Sequence, residues 1–365
     1  MVQYNYITGM LGGIVMKNQK RIRDYGVSIG RMLPGKLNSI TDVDGIKVGH
    51  ITLNSGEIKT GVTALLPHSG NLFKEKVMAS SYVINGFGKS MGLIQIDELG
   101  TIESPIVLTN TLSIGTAFDG VLDYMLEGNQ DIGTTTGTIN PIVCECNDGY
   151  LNSIRKRVVE KSHVLEAIKK ADVEFEEGSV GAGTGMCCLG VKGGIGTASR
   201  VIPLDNKKYI LGSLVLSNFG IGEELLINGI KAGEKINSLL AKRSEEGDKG
   251  SIIMIIATDI PLSERQLKRV CKHAVVGLSR TGSFIGNGSG DIVIGFSTAN
   301  KVSHYEEKAI CDMKILSDNK IDLVFKSTAE SIEEAILNSL ICADTTLGRN
   351  EHMKYSLKEF IEYLT

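Results

Sequence analysis

Proline is scarce, 6 residues in 365, while glycine is abundant at 43, well above its usual share of about 7%. The glycines fall beside β-branched runs, so they mark tight turns and close backbone approaches in a folded protein, not a low-complexity linker. The seven cysteines (144, 146, 187, 188, 271, 311 and 342) form no CxxC pair. Their spacing matches no common zinc site, and they read as reduced, mostly buried thiols. Charge of one sign is also missing: the net charge is −3, and no Lys/Arg stripe interleaves with aromatics. Nucleic acid and membrane surfaces are therefore excluded as main partners. The apolar stretch Ile7–Met16 is too short to span a bilayer. Its basic residues Lys17, Lys20, Arg21 and Arg23 follow it, the wrong order for a secretory signal. A cytoplasmic protein with a leader over residues 1–20 is expected.

What is present is an alternation of apolar runs and turns. Strands are predicted at 46–52, 61–66, 77–85, 105–108, 139–143, 192–198, 209–217, 251–257 and 291–297, several of them apolar throughout, as in strands covered on both faces. Helices are predicted at 113–127, 158–171, 223–242 and 331–342. Another follows Pro261, where Ser263 and Gln266 form a capping-box signature. Buried strands flanked by amphipathic helices imply a layered α/β sandwich. Residues 242–250 (KRSEEGDKG) break the pattern with six charges and no apolar side chain. A polar, exposed loop is expected there, running directly into the apolar strand that starts at Ser251.

Chemistry can be sought at five places. A serine hydroxyl is a poor nucleophile without a base. If the Gly250–Ser251 bond were cut, the freed α-amine of Ser251, with an ordinary pKa of about 7.7–8.0, would supply one within the same residue. Glycine before the serine would tolerate a strained backbone. No GxSxG elbow or local histidine signature offers another serine mechanism. In Arg280–Asn300, Gly286, Gly288 and Gly290 could let backbone N–H groups converge on an oxyanion, with Ser289 and Asp291 two apart at a strand mouth. The alternative is an ordinary Gly-rich turn; the lysine of a nucleotide-binding loop is absent. The GxGxG run at 181–185 is not followed by a helix, so a dinucleotide site is not expected. Asn218 ends an apolar strand and could donate into an oxyanion hole, or simply form a turn. Tyr150 could donate its phenol hydrogen to the same cleft, or anchor its loop.

Eight ordered blocks complete the picture: TDVDGIKVGH, NTLSIGTAFD, ECNDGYLN, VGAGTGM, KGGIGTASR, SNFG, GSIIMIIATDIPL and NGSGDIVIGFSTAN. Together they resemble the L-aminopeptidase/D-esterase (DmpA-type) family, which includes the β-peptidyl aminopeptidases. The resemblance implies a four-layer αββα sandwich, like the N-terminal-nucleophile hydrolases but connected differently. It further implies self-cleavage into residues 1–250 and 251–365, which stay together as one structural domain, and a homo-oligomer of such processed protomers. It implies a serine aminopeptidase or amidase acting on small peptides, amides or esters with no metal or other cofactor. By the same resemblance Ser251 is the nucleophile, while Asn218 and Tyr150 stabilise the oxyanion and orient the substrate. Ser289 and Asp291 assist Ser251 or hold the substrate amine, with Gly288 and Gly290 in the substrate and oxyanion loop. Asp291 stands where β-aminopeptidases carry a glutamate, one methylene longer. Two other readings stay open: an acyltransferase resembling the ornithine acetyltransferases, whose new N-terminus is threonine, and a non-enzymic metabolite-binding protein.

Overall fold

The computed structural model of the chain describes residues 19–240 and 250–364. Most of the expected leader and the charged loop at 242–249 lie outside these residues.

Two sheets carry the fold. The smaller has the order β1 (Lys47–Ser55), β2 (Ile58–Leu66), β5 (Ile106–Asn110), β6 (Ile142–Cys146). The larger runs β4 (Thr101–Ile102), β3 (Glu75–Gly86), β14 (Gly290–Ser303), β13 (Ser251–Thr258), β10 (Lys207–Asn218), β9 (Gly194–Leu204). Three short ribbons lie outside them: β7 (Cys187–Cys188) with β8 (Val191–Lys192), β11 (Leu226–Ile227) with β12 (Ile230–Lys231), and β15 (Thr346–Leu347) with β16 (Met353–Lys354). The helices are α1 (Leu93–Leu99), α2 (Ile114–Gly128), α3 (Lys161–Lys169), α4 (Ala232–Leu239), α5 (Glu264–Arg280) and α6 (Ile321–Ile341).

Side-chain alternation sets the layers. In β13, Ile253, Ile255 and Ala257 join Leu214, Leu216, Ile106, Leu108 and Ile142 in a core between the sheets. The intervening Ile252, Met254 and Ile256 pack under α5 and α6 with Leu267, Val270, Ile332 and Ile336. A third core places Ala117 and Val121 of α2 and Val164 and Ala167 of α3 on the outer face of the smaller sheet, against Val62, Ala64 and Val107. Three apolar seams between four layers are the αββα sandwich. With both faces covered, β13 is buried at all eight positions, which explains its unbroken apolar run.

The capping box at Ser263 and Gln266 opens α5 as expected. Two helix expectations need correction. Within 223–242, only Ala232–Leu239 is α-helical among the described residues. Asn228 and Gly229 both adopt left-handed φ (50° and 81°), so an Asn-Gly hairpin turn joins β11 to β12 and interrupts the helical pattern. Helix α6 begins at Ile321, ten residues before the expected start. Its first half looks polar but is largely buried. Fully buried Arg200 of β9 binds Glu330 (3.2 Å) and Glu334 (2.7 Å), so charges lie on the face where apolar periodicity was sought.

A partly buried histidine ties the smaller sheet to the glycine-rich segment after α3. His50 Nδ1 lies 2.9 Å from Thr63 Oγ1, which also accepts the Ala182 N–H. Burial pushes the His50 imidazole down from 6.5 to about 4. Above pH 6.5 the group is neutral in both folded and unfolded chains; as pH falls from there towards 4, only the unfolded chain takes the proton. Stability should therefore drop by roughly 3 kcal/mol across that window from this residue. Urea titrations at pH 7.5 and 4 should show this loss, and His50→Gln should reduce it.

Candidate active site

Three strand ends meet at one point. Antiparallel pairing sets Asn218, the last residue of β10, opposite Ser251, and parallel pairing sets Ser251 beside Gly290, the first residue of β14. The end of β6 closes the seam from the other sheet, where Cys146 Sγ contacts the Leu216 carbonyl at 3.5 Å.

Ser251 is buried. Its hydroxyl donates to the Gly250 carbonyl oxygen at 2.8 Å and accepts the Gly290 N–H at 3.3 Å. The same Gly290 N–H reaches the Gly250 oxygen at 3.2 Å. One backbone donor thus serves both the hydroxyl and the carbonyl that precedes it. Gly290 must be glycine for this: a Cβ there would lie 2.7 Å from the Phe87 oxygen and 3.1 Å from Ser251 Oγ. Gly288 sits in the turn before it, which the Ser289 N–H closes on the Gly286 oxygen at 2.9 Å.

The reason for glycine at 250 differs from the sequence expectation. Its backbone is not left-handed; a Cβ would instead stand 2.0 Å from the Asn218 oxygen and 2.4 Å from Phe219 Cα. Gly250→Ala should therefore displace the bond before Ser251. If the chain is cut at this bond, as the family resemblance implies, the uncut fraction of Gly250→Ala, read by intact-mass measurement after expression, should exceed that of the wild type and make up most of the protein.

The Asn218 side chain is held at both ends. Oδ1 accepts the Cys187 N–H at 2.9 Å, and Nδ2 donates to the Asn147 oxygen at 3.0 Å. An amide nitrogen carries two hydrogens, so this clamp fixes where the second one points. Asp148, next to Asn147, is fully buried and accepts the Asn152 amide at 2.9 Å. Burial raises its carboxyl to about 7, against the lowering pull of the Thr60 hydroxyl and Asn152.

Ser289 and Asp291 flank Gly290, both buried, and Ser289 Oγ donates to Asp291 Oδ1 at 2.5 Å. This bond brings the two side chains to one place beside the start of β14. Tyr150 is placed differently. It is 43% exposed, and its ring stacks on His352 with centroids 4.5 Å apart. Lys354 Nζ lies 5.1 Å over the ring. From this turn it is the Asn147 carbonyl that reaches Asn218.

Sequence reasoning missed Glu145, the first residue of the ECNDGYLN block. It is buried on β6, where Oε1 accepts the Lys89 N–H at 3.0 Å and Oε2 accepts the Thr111 hydroxyl. A Cβ on Gly88 would lie 3.7 Å from this carboxylate and 3.8 Å from Gly290 Cα, so a second buried acid lies near Gly290. The signal was present in the sequence, as an acid between two cysteines of an apolar strand. No histidine bonds Ser251 among the described residues; each of the six has a ring nitrogen bonded elsewhere. Among those residues there is also no cluster of three or more His, Cys, Asp or Glu that could hold a metal ion, and no helix long and apolar enough to cross a membrane. The thiols of Cys144 and Cys271 are raised to about 12 by burial and serve as packing groups.

Residues 38–354 match peptidase family S58. The chain belongs to that family. It is 37% identical over 367 residues to the beta-peptidyl aminopeptidase BapA of Sphingosinicella microcystinivorans, covering 94% of this chain and 91% of that one. The PH0078 protein of Pyrococcus horikoshii OT3 is similar in structure, with TM-score 0.90 and 55% identity over 94% of this chain and 98% of the other. The L-aminopeptidase D-Ala-esterase/amidase of Ochrobactrum anthropi, described as a prototype for the serine aminopeptidases and a variant of the Ntn hydrolase fold, superposes with TM-score 0.85 at 33% identity. It covers 94% of this chain and 99% of that one. As an S58 member the chain is a hydrolase of the aminopeptidase kind with the αββα architecture.

Proposed function

We propose that the chain is a self-cleaving serine aminopeptidase whose nucleophile is Ser251. The observation that carries this reading is the Gly290 N–H, shared between Ser251 Oγ and the Gly250 carbonyl oxygen. In self-cleavage Ser251 Oγ attacks the Gly250 carbonyl carbon, and the Gly290 N–H stabilises the charge developing on its oxygen. The C–N bond breaks as the nitrogen takes the proton lost by Oγ, leaving an ester that water hydrolyses. The products are residues 1–250 and 251–365, the second beginning with a free α-amine.

In the mature enzyme that amine takes the Oγ proton as Ser251 attacks the first carbonyl of a substrate. The second hydrogen of Asn218 Nδ2 and the Gly290 N–H receive the oxyanion. The leaving amine is protonated by the α-ammonium, and water then releases the acyl group from Ser251. Glu145 and Asp291 are the buried acids at hand to hold the substrate's own ammonium, which limits attack to the N-terminal residue. Tyr150, exposed on the turn that also supplies the Asn147 carbonyl, orients the remainder of the substrate. Small peptides, amino-acid amides and esters fit this chemistry.

Intact-mass measurement of purified protein tests the first step and a panel of L-, D- and β-aminoacyl p-nitroanilides the second. A single uncut chain that still hydrolyses these substrates would refute the mechanism.

A further inference from the structure

Lys192 is among the largest fully buried side chains of the molecule, and nothing in the reaction above uses it. Its Nζ donates to the Gly183 oxygen at 2.9 Å and the Gly193 oxygen at 2.7 Å, and its backbone N–H to the Tyr355 oxygen at 2.8 Å. An ammonium is rarely buried, because leaving water disfavours the charged form. By holding two carbonyls from different segments, this one ties the 181–186 turn to the start of β9.

The tie lies directly behind the oxyanion amide. Lys192 pairs with Cys187 across the β7–β8 ribbon, and Cys187 supplies the N–H that holds Asn218 Oδ1. The Gly193 N–H continues the ribbon to the Met186 oxygen at 2.9 Å. A Cβ on Gly193 would stand 2.4 Å from the Ser217 oxygen, so the ribbon lies hard against the end of β10.

We propose that Lys192 is a positioning residue for the oxyanion amide, its ammonium locking the β7–β8 ribbon so that the second hydrogen of Asn218 stays aimed at the oxyanion. This rests on the reading of Ser251 as nucleophile. The groups facing Lys192 are Cys187 and Cys188 of β7, Asp148 of the turn after β6 and Asp344 of the segment after α6. Lys354, whose Nζ is 3.5 Å from the Gly190 oxygen, is the other cation on the ribbon. Burial pushes the Lys192 ammonium down to about 8, and those acidic neighbours pull the other way. Deprotonation at mildly alkaline pH therefore loosens the tie over the range in which the α-amine of Ser251 becomes competent.

Wild-type kcat should accordingly rise with the α-amine and fall again above about pH 8. Lys192→Met should lower kcat about 10- to 100-fold, part of the loss expected for a whole oxyanion donor, with KM changed less than about threefold. It should also abolish the alkaline fall. A processed, folded Lys192→Met protein with wild-type kcat and an unchanged alkaline limb overturns the proposal. Should that variant fail to fold, uncut Ser251→Ala protein labelled with 15N-asparagine, which has no α-amine opposite Asn218, decides. The side-chain amide resonance that disappears in Asn218→Asp should shift with a midpoint near pH 8; one that does not move from pH 7 to 9.5 overturns the proposal. Wild-type protein without Ser251-dependent turnover would refute the reading of the nucleophile instead, while the resonance would still report on Lys192.

Discussion

Ser251→Ala should leave one uncut chain of 365 residues and reduce hydrolysis of aminoacyl p-nitroanilides by about 10⁴- to 10⁶-fold, to the level of whatever binding and oxyanion stabilisation remain. On the proposed mechanism the two losses coincide because one oxygen serves both steps: without Oγ neither the Gly250 carbonyl nor the substrate carbonyl has an attacking atom. The fold should survive. Ser251 begins β13, its backbone pairs on both sides, and among the described residues its hydroxyl bonds to Gly250 and Gly290. Circular dichroism and a denaturant midpoint close to wild type would show that the loss is chemical. Ser251→Cys separates the steps further, since a thiol remains a nucleophile; cleavage is expected to persist at a reduced rate. Measurable turnover in uncut Ser251→Ala protein would place the nucleophile elsewhere.

Asn218→Ala should lower kcat by about 10²- to 10³-fold with a much smaller change in KM, as for removal of one preorganised oxyanion donor. The size of the effect depends on preorganisation: the amide is fixed through Cys187 and Asn147 before substrate arrives, so no reorientation is needed as charge develops. Asn218→Asp is the sharper probe, because it keeps the size and shape but offers an acceptor where a donor is required. It also sets a carboxylate against the Asn147 carbonyl, and its activity should fall below that of Asn218→Ala. Self-cleavage should suffer less in both variants, since the Gly250 oxygen already has the Gly290 N–H. An equal loss in kcat and in substrate affinity would mean that Asn218 binds substrate without distinguishing the transition state.

The layered fold was legible because covered strands announce themselves: SIIMIIAT and DIVIGF admit few other environments. The helices that escaped did so for identifiable reasons. The first half of α6 hides its buried face behind the polar residues Ser327, Thr328 and Glu330, the last paired with Arg200, and Asn228–Gly229 inserts a hairpin into an otherwise helical run. Of the site, the residues on or next to strand ends (Asn218, Ser251, Ser289, Asp291) could be placed by reading where apolar runs start and stop. Tyr150 could not, since a loop side chain's direction depends on partners far away in sequence, here His352 and Lys354. Glu145 and Lys192 were overlooked because each lies within an apolar or glycine-rich block: Glu145 is satisfied by Lys89 and Thr111, far away in sequence, and Lys192 by the nearby carbonyl oxygens of Gly183 and Gly193, backbone groups that residue identities do not reveal.

The strand order of the larger sheet bears on when the chain can be cut. β13 and β14 lie at its centre, between β3 and β10 from the segment preceding Gly250. The donor proposed to act on the Gly250 carbonyl comes from β14, some forty positions downstream, and reaches it only once β14 has been laid beside β13. On the proposed chemistry, scission is a receipt for completed assembly: nascent and half-folded copies remain inert. The two fragments interleave like the fingers of clasped hands. Breaking the bond exposes a new terminus in the middle of the sheet without loosening it, and fragments expressed separately would have no sequential route back to the same arrangement.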